Sequence, residues 1–586
     1  MSARRWRLGA AGACLASLLF AACGSGVNSG GSAGSTGSTG TGGGSAGSSG
    51  QSAATTAYQP QHAGGTLRLL WSGAGGTLDP QVNYTLEYWQ LYQATYDGLL
   101  AFQKTTGPAS FNVVPDLATS MPTVTNGGKT YTFTLRKGIK FSNGQPVTLT
   151  DVVDSFTRLF KVANPNAGTW YNVIVGANAC LKTPATCTLK GGVVTNAATN
   201  QVTFNLTQPD PDFEDQLAVP FGSILPASAP TKPGGSNAPI PGTGPYYFAS
   251  YNPNTQLVMK RNPYFKVWSV AAEPQGYPNE IVTTFGQTVE NEVTAVENGQ
   301  ADWMGDPPPP DRLTELSTKY AKQVHVNTLT ADWYVAFNTR LAPFNNLKAR
   351  QAFNWAVNRT ATVKLFGGPE LGVPACTILP PGFPGYTPFC FYTKPAGSTW
   401  KGPDLSLAKK LVQESGTAGM KVALVAQNDT VDYNEGQYLV SVLNAIGYKA
   451  TLKPLSQNIQ FTYIQNTNNH VQISLSQWYQ DYPQASDFLQ VLLSCANFHP
   501  GSDSSINIAG YCNPALDAQM NKATAMQTSD PTAANKMWGQ IDQEMMKQAV
   551  WAPLFHPKLI DFVSARVKHY EFSRQFYMLV DQLWLK

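Results

Sequence analysis

Apolar and polar side chains alternate from Thr66 to Trp71, the period of a half-buried strand. A Gly-rich stretch ending at Asp79-Pro80 then turns the chain into a helix expected to reach Leu99. Residues 130–135 mix β-branched and aromatic side chains, which predicts a second strand. Thr150 is placed to cap the next helix, whose Val152, Phe156, Leu159 and Phe160 share one face, with Asp154 favouring its start. Residues 201–206 alternate again, and prolines between Pro209 and Pro245 predict irregular connections closing a first small domain. Val289, Val293 and Val296 recur at helical spacing, 301–304 reads as a strand, and Pro307 to Pro310 break the pattern. One helix is expected over 347–366, burying Phe353, Ala356, Val357 and Val363, and another from Asp404. Thereafter strand 420–426, helix 431–446, strand 449–455, helix 459–465 and strand 471–476 alternate regularly, as a layered α/β lobe requires.

Arg4, Arg5 and Arg7 precede an apolar run, 8–22, too short for a comfortable membrane span, so the segment reads as a secretory signal. Arg4-Arg5 lacks the rest of a twin-arginine consensus, which leaves Sec export as the default. Ala21-Ala22-Cys23 resembles the lipobox of bacterial lipoproteins, in which the cysteine thiol receives diacylglycerol; Phe20 replaces the usual leucine. From residue 24 to about 57 the chain holds almost no large apolar side chain and no charge, and reads as a tether with a reach on the order of 30–35 Å.

The tether leaves about 530 of the 586 residues, too many for one core, so at least two lobes are expected. Hydrophobic residues make up 42% and charged residues 13%, and the formal charge of +4 falls to about +1 without the three leading arginines. No basic patch remains, which argues against a nucleic-acid partner. Beyond Cys14 and Cys23, six cysteines form near neighbours: Cys180 with Cys187, Cys376 with Cys390, Cys495 with Cys512. An even count suits an exported chain, and pairing by proximity would close three loops worth ~2–3 kcal/mol each, although sequence leaves connectivity open. Cys495, His499 and Cys512 are loosely spaced like metal ligands, but no CxxC or HExxH supports zinc, and no cofactor is expected. An exported hydrolase finds little support. Two Gly-x-Ser-x-Gly matches lie in the tether, and Asp210 and Asp212 sit in a proline-rich loop where solvation is the default.

Eight blocks run in one order: Thr77-Leu78-Asp79-Pro80; Tyr96-Asp97-Gly98-Leu99-Leu100; Pro115-Asp116-Leu117-Ala118; Tyr131 to Asp154; Gly242-Thr243-Gly244-Pro245-Tyr246; Arg261-Asn262-Pro263-Tyr264; Ala336-Phe337-Asn338-Thr339; and Arg350-Gln351-Ala352-Phe353. Together they resemble family 5 of the bacterial extracellular solute-binding proteins, the oligopeptide- and dipeptide-binding receptors of ABC importers. Most of these residues read as backbone geometry, with Lys137-Gly138 and Asn143-Gly144 as turns around 139–141 and Arg350 as a helix-face salt-bridge partner.

The resemblance implies an α/β, two-lobed periplasmic-binding-protein-like fold (type II, cluster C) with an extra small α+β domain in the first lobe. The expected division is signal 1–22, anchor and tether 23–60, lobe I 61–97, 225–332 and 553–586, extra subdomain 98–224, and lobe II 333–552. It implies a monomeric receptor that does no chemistry, anchored through Cys23 to the outer face of the cell membrane. Such a receptor captures a peptide and delivers it to a permease with cytoplasmic ATPases; a sugar, opine or metal chelate is the alternative solute. Family members pair an aspartate with the ligand's α-ammonium, and the matching segment here is Trp478-Tyr479-Gln480-Asp481-Tyr482-Pro483. Gln484 and Ala485 depart from the common acidic-proline continuation, while Asp487 follows. Asp481 would hold the ammonium, backbone around Tyr479 and Gln480 would bond the peptide as an added strand, and Trp478 and Tyr482 would form flat walls. Trp71, Tyr84, Trp333 and Asn338 are further pocket candidates.

Overall fold

The computed structural model describes residues 58–585 apart from 504; the signal, Cys23 and nearly all of the tether lie outside the described residues. The first lobe is built on a five-stranded sheet in the order Trp303–Met304, Thr66–Trp71, Glu280–Phe285, Gln256–Arg261, Tyr246–Asn252. Thr66–Trp71 runs parallel to both neighbours and buries Leu67, Leu69 and Trp71, as its alternation predicts.

A small antiparallel sheet, Thr123–Thr125, Thr130–Thr134, Gln201–Asn205 and Val193–Asn196, is covered by the helix Leu149–Lys161, which buries Val152, Phe156, Leu159 and Phe160. That helix starts two residues earlier than expected. Thr148, not Thr150, is the cap: its side chain accepts from the Asp151 amide while Asp151 Oδ2 accepts from the Thr148 amide at 2.8 Å, so Asp151 rather than Asp154 completes a reciprocal box. The helix expected to reach Leu99 ends at Tyr92. Tertiary pairing captures the carbonyls just beyond it, because Gly244 and Tyr246 donate to Thr95 and Ala94 at 3.0 Å each.

The second lobe holds a seven-stranded mixed sheet ordered Val324–Thr328, Trp551–Phe562, Ala331–Phe337, Ile473–Tyr479, Lys421–Gln427, Lys449–Leu455, with Gly372–Pro374 paired to Trp551–Phe562. Its parallel part comes from the regular α/β alternation. Ala331–Phe337 is buried on both faces: Ala331, Trp333, Val335 and Phe337 enter one apolar cluster, Tyr334 and Ala336 the other. Val324–Thr328 and the whole of Trp551–Phe562 hydrogen-bond into this sheet, so the expected lobe limits at 332/333 and 552/553 cut through it. Val563 then bridges to Trp303 of the first sheet, making this strand one of the crossings between lobes.

The expected 347–366 helix is two, Leu347–Ala356 and Arg359–Phe366, because Val357 is extended and Asn358 caps the second, accepting from the Thr360 and Ala361 amides. Arg350 is buried and among the described residues makes no salt bridge; it donates to the carbonyls of Phe344, Gln548 and Ala549 at 2.7, 2.8 and 3.1 Å. Where a strand would be flanked by the Lys137-Gly138 and Asn143-Gly144 turns, only Lys140 pairs, in an isolated bridge with Pro146. Among the described residues the disulfides are Cys180–Cys187, Cys376–Cys390 and Cys495–Cys512. Among the described residues, no helix is long and apolar enough to cross a membrane, and no group of three or more His, Cys, Asp or Glu could hold a metal.

Candidate functional site

The strand expected to stop at Ser476 continues to Tyr479, because Trp478 and Tyr479 pair with Asp332 and Ala331 of the neighbouring strand. Trp478 and Tyr479 therefore face opposite sides of the sheet. Tyr479 shares its face with Trp333, ring centroids 5.4 Å apart and nearly perpendicular. Trp478 packs on the other side, and its indole nitrogen reaches Asp487 Oδ2 at 3.4 Å.

Asp481 lies in the short loop between this strand and the helix Ala485–Leu493, and its backbone is pinned from two directions. Its amide donates to Asp487 Oδ2 at 3.0 Å, and its carbonyl accepts from the Gln575 side chain at 3.0 Å, itself held by Gln480 at 2.7 Å. The Asp481 carboxylate accepts from the hydroxyl of Tyr84, which arrives from the first lobe just before the helix Leu86–Tyr92. Tyr84 is wedged among Phe221, Trp89 and Trp170, with ring centroids at 5.3, 5.6 and 6.4 Å. The two lobes thus meet at the Tyr84–Asp481 hydrogen bond.

Tyr482 and the residues after it seal the seam beside this bond. Tyr482 is buried, stands edge-on to Trp170 at 5.8 Å and points its hydroxyl at Asp212 Oδ2, 3.3 Å away. Ser486 and Gln527 also donate to Asp212, each at 2.8 Å, and Gln484 donates to Asp215 at 3.0 Å. Asp212 is therefore a buried seam residue rather than the solvated loop residue expected, and burial pushes the neighbouring Asp210 up to about 7. Tyr482 acts in this seam and does not form an open wall.

Burial pushes the Asp481 carboxyl up to about 7, a shift that the Tyr84 hydroxyl partly offsets. Burial and the nearby Asp481 charge raise Asp487 well above the usual carboxylate range, and the same two causes raise the Tyr84 hydroxyl. Among the described residues, no lysine or arginine is among the groups acting on Asp481. The loop is thus a desolvated acidic point without a cation, which is the condition under which a carboxylate selects a positive ligand group.

The remaining candidates divide. Trp333 lies with Tyr479 near the seam. Trp71 is inside the first-lobe core against Tyr88, Phe285 and Trp303, with Gly305 so close to its indole that an added Cβ would overlap it. Asn338 stands beyond the opposite end of the Ala331–Phe337 strand, donating to the Val471 carbonyl and accepting from the Arg340 amide, so it terminates a strand instead of lining the seam. Two acidic residues near Tyr479, Glu87 and Asp432, escaped sequence reasoning. Each occupies the first turn of its helix, where an acid is already explained by the helix dipole, and no linear signal brings the two together.

Residues 112–500 match the description "Bacterial extracellular solute-binding proteins, family 5 Middle". The periplasmic oligopeptide-binding protein OppA of Salmonella typhimurium is 25% identical over 452 residues, 75% of this chain and 78% of OppA. The glutathione-binding protein GsiB of Salmonella choleraesuis is 26% identical over 499 residues, 83% of this chain and 87% of GsiB. The solved structure of clavulanic acid biosynthesis oligopeptide binding protein 2 aligns with a TM-score of 0.81 at 23% identity, covering 90% of this chain and 96% of that one. A match over most of the described chain, on a two-lobed α/β fold with a small added domain, has one consequence: the chain belongs to family 5 of the bacterial extracellular solute-binding proteins.

Proposed function

We propose that this protein is the peptide-capturing receptor of an ABC importer, holding its ligand between the lobes by the free amino terminus and delivering it to a membrane permease. The observation that carries the reading is Asp481, a desolvated carboxylate at the seam with a hydroxyl from the opposite lobe as its hydrogen-bond partner and, among the described residues, no cation acting on it. A peptide ammonium supplies the missing charge, and a charge-assisted bond to Asp481 is stronger than the Tyr84 hydroxyl bond. The names of the two relatives, an oligopeptide-binding and a glutathione-binding protein, support a ligand of this class. Groups from both lobes reach such a ligand only when the lobes are together, so binding favours the closed arrangement by differential affinity. Cys23, lipidated, would keep the receptor beside its permease, where tethering raises the effective concentration.

Titration calorimetry of a tripeptide pool into the wild type and Asp481→Asn tests the reading. Binding weakened at least tenfold in the variant, about 1.4 kcal/mol, is expected; equal affinity removes Asp481 from the role. Palmitate labelling that persists in Cys23→Ala would remove the anchor while leaving the receptor reading intact.

A further inference from the structure

Behind the seam the first lobe holds a small cavity of about 30 Å³, whose walls include Gln93, Asp97, Lys104, Asp116, Glu273 and Phe576. Two of these residues tie it to the contact between the lobes. Gln93 caps the end of the helix Leu86–Tyr92, whose other end follows closely on Tyr84, and Phe576 comes directly after Gln575, which donates to the Asp481 carbonyl.

The polar groups around the cavity are paired on one side and open on the other. Lys104 donates to Glu273 and to Asp581 Oδ2, the latter at 3.3 Å. Asp97 Oδ2 accepts from the Thr243 hydroxyl at 2.5 Å, and Asp116 Oδ1 accepts from the Trp268 indole at 2.7 Å. Their second oxygens, Asp97 Oδ1 and Asp116 Oδ2, have no hydrogen-bond partner among the described residues, and neither does either amide atom of Gln93. Asp97, Asp116 and Gln93 are 2, 1 and 7% exposed, so bulk solvent does not complete these bonds.

We propose that this cavity is the binding site of one structural water molecule, which donates to Asp97 Oδ1 and Asp116 Oδ2 and accepts from Gln93 Nε2. The space suffices, because a buried water needs roughly 10–15 Å³ and two to four polar partners. The hydrogens also balance: two acceptors and one donor surround the space, and a water offers two hydrogens and a lone pair to match them. The rival arrangement is a proton shared directly between the two carboxyls. Burial favours that arrangement, since it raises Asp97 and raises Asp116 well above the usual carboxylate range. It would nevertheless leave the Gln93 amide hydrogens buried and unpaired, whereas one water serves all three side chains. Among the described residues no group of three or more His, Cys, Asp or Glu could hold a metal, which disfavours an ion in the same space. The water joins the end of the helix that begins beside Tyr84 to the chain at Asp97 and Asp116, and so braces the wall behind the Tyr84–Asp481 contact. This assignment does not depend on which ligand the protein takes.

The test is a high-resolution crystal structure of the full wild-type chain, from crystals grown with rubidium chloride so that a monovalent cation is marked by its anomalous scattering. One peak without anomalous signal is expected, within about 3.2 Å of Asp97 Oδ1, Asp116 Oδ2 and Gln93 Nε2. An anomalous peak, no peak, or the two carboxyl oxygens in direct contact would overturn the water. In solution, oxygen-17 relaxation dispersion is expected to show one long-lived water fewer in Gln93→Leu than in the wild type, and an unchanged number would count equally against it. The crystal needs no variant, so a Gln93→Leu chain that fails to fold does not shield the proposal.

Discussion

Asp481 owes its character to where the chain puts it rather than to any partner it was given. Its backbone is held at both ends by Asp487 and Gln575, which fixes where the side chain starts, and the Tyr84 hydroxyl meets the carboxylate from the other lobe. A buried charge in that state opposes folding even as it prepares binding. Asp481→Asn is therefore expected to do two opposite things: weaken ligand binding and raise the ligand-free melting temperature at about pH 8, by about 1–2 kcal/mol of stability. A variant less stable than wild type by thermal unfolding would show that Asp481 is already well compensated. The same sign governs the pH dependence. Burial pushes Asp481, Glu87, Asp432 and Asp542 each up to about 7. A carboxyl whose folded pKa exceeds its unfolded one takes up a proton on folding, so it costs stability above pH 7, a cost removed as pH falls through 7 toward 4. The ligand-free protein should melt higher at about pH 5.5 than at about pH 8, and the reverse order would contradict the shifts.

Where local pattern and tertiary bonding agree, the elements were legible from residues alone. The alternating Leu67, Leu69 and Trp71 and the apolar faces around Val152 and Leu439 give periods that nothing else imposes. Misreadings came where a distant partner decides. The helix after Leu86 stops because Thr95 and Ala94 are claimed by Gly244 and Tyr246, and the strand to Ser476 is lengthened because Asp332 and Ala331 offer pairing to Trp478 and Tyr479. Asp79, in one of the blocks that carry the family resemblance, forms a two-pronged ion pair with Arg158 and ties the first lobe to the helix of the small domain. These blocks are joints between elements. Gly242 is the sharpest case, since a Cβ there would stand 2.0 Å from the Thr95 carbonyl oxygen. Gly242→Ala should destabilise the protein by about 2–4 kcal/mol in denaturant unfolding, through forced backbone displacement; a loss below about 0.5 kcal/mol would mean that the joint yields freely.

The molecule as a whole is two lobes brought together along a seam in which several polar contacts converge on Asp212. Tyr482, Ser486 and Gln527 of the second lobe all converge on that one carboxylate. Asp212 reads in sequence as a surface acid in a proline-rich loop, and only closure of the lobes gives it partners, which is why the candidate site was half legible: Asp481 and Tyr84 came from residue type and family resemblance, but the seam around them is a property of the assembled pair. Asp212→Ala should loosen the closed arrangement, seen as a larger radius of gyration of the ligand-free protein by small-angle scattering. It should also weaken all ligands by a similar factor, because it touches closure and not selection. An unchanged radius would mean that the seam follows closure without helping to hold it.

Capture by the amino terminus is the point on which the account stands, and it is reached most directly by measuring one tripeptide in two forms, with a free and an acetylated amino group, against the wild-type protein. Acetylation keeps the backbone and side chains and removes the positive charge. The free form is expected to bind and acetylation to weaken it at least tenfold, a loss that largely disappears in Asp481→Asn; equal affinity of the two forms for the wild type would rule out capture by the amino terminus.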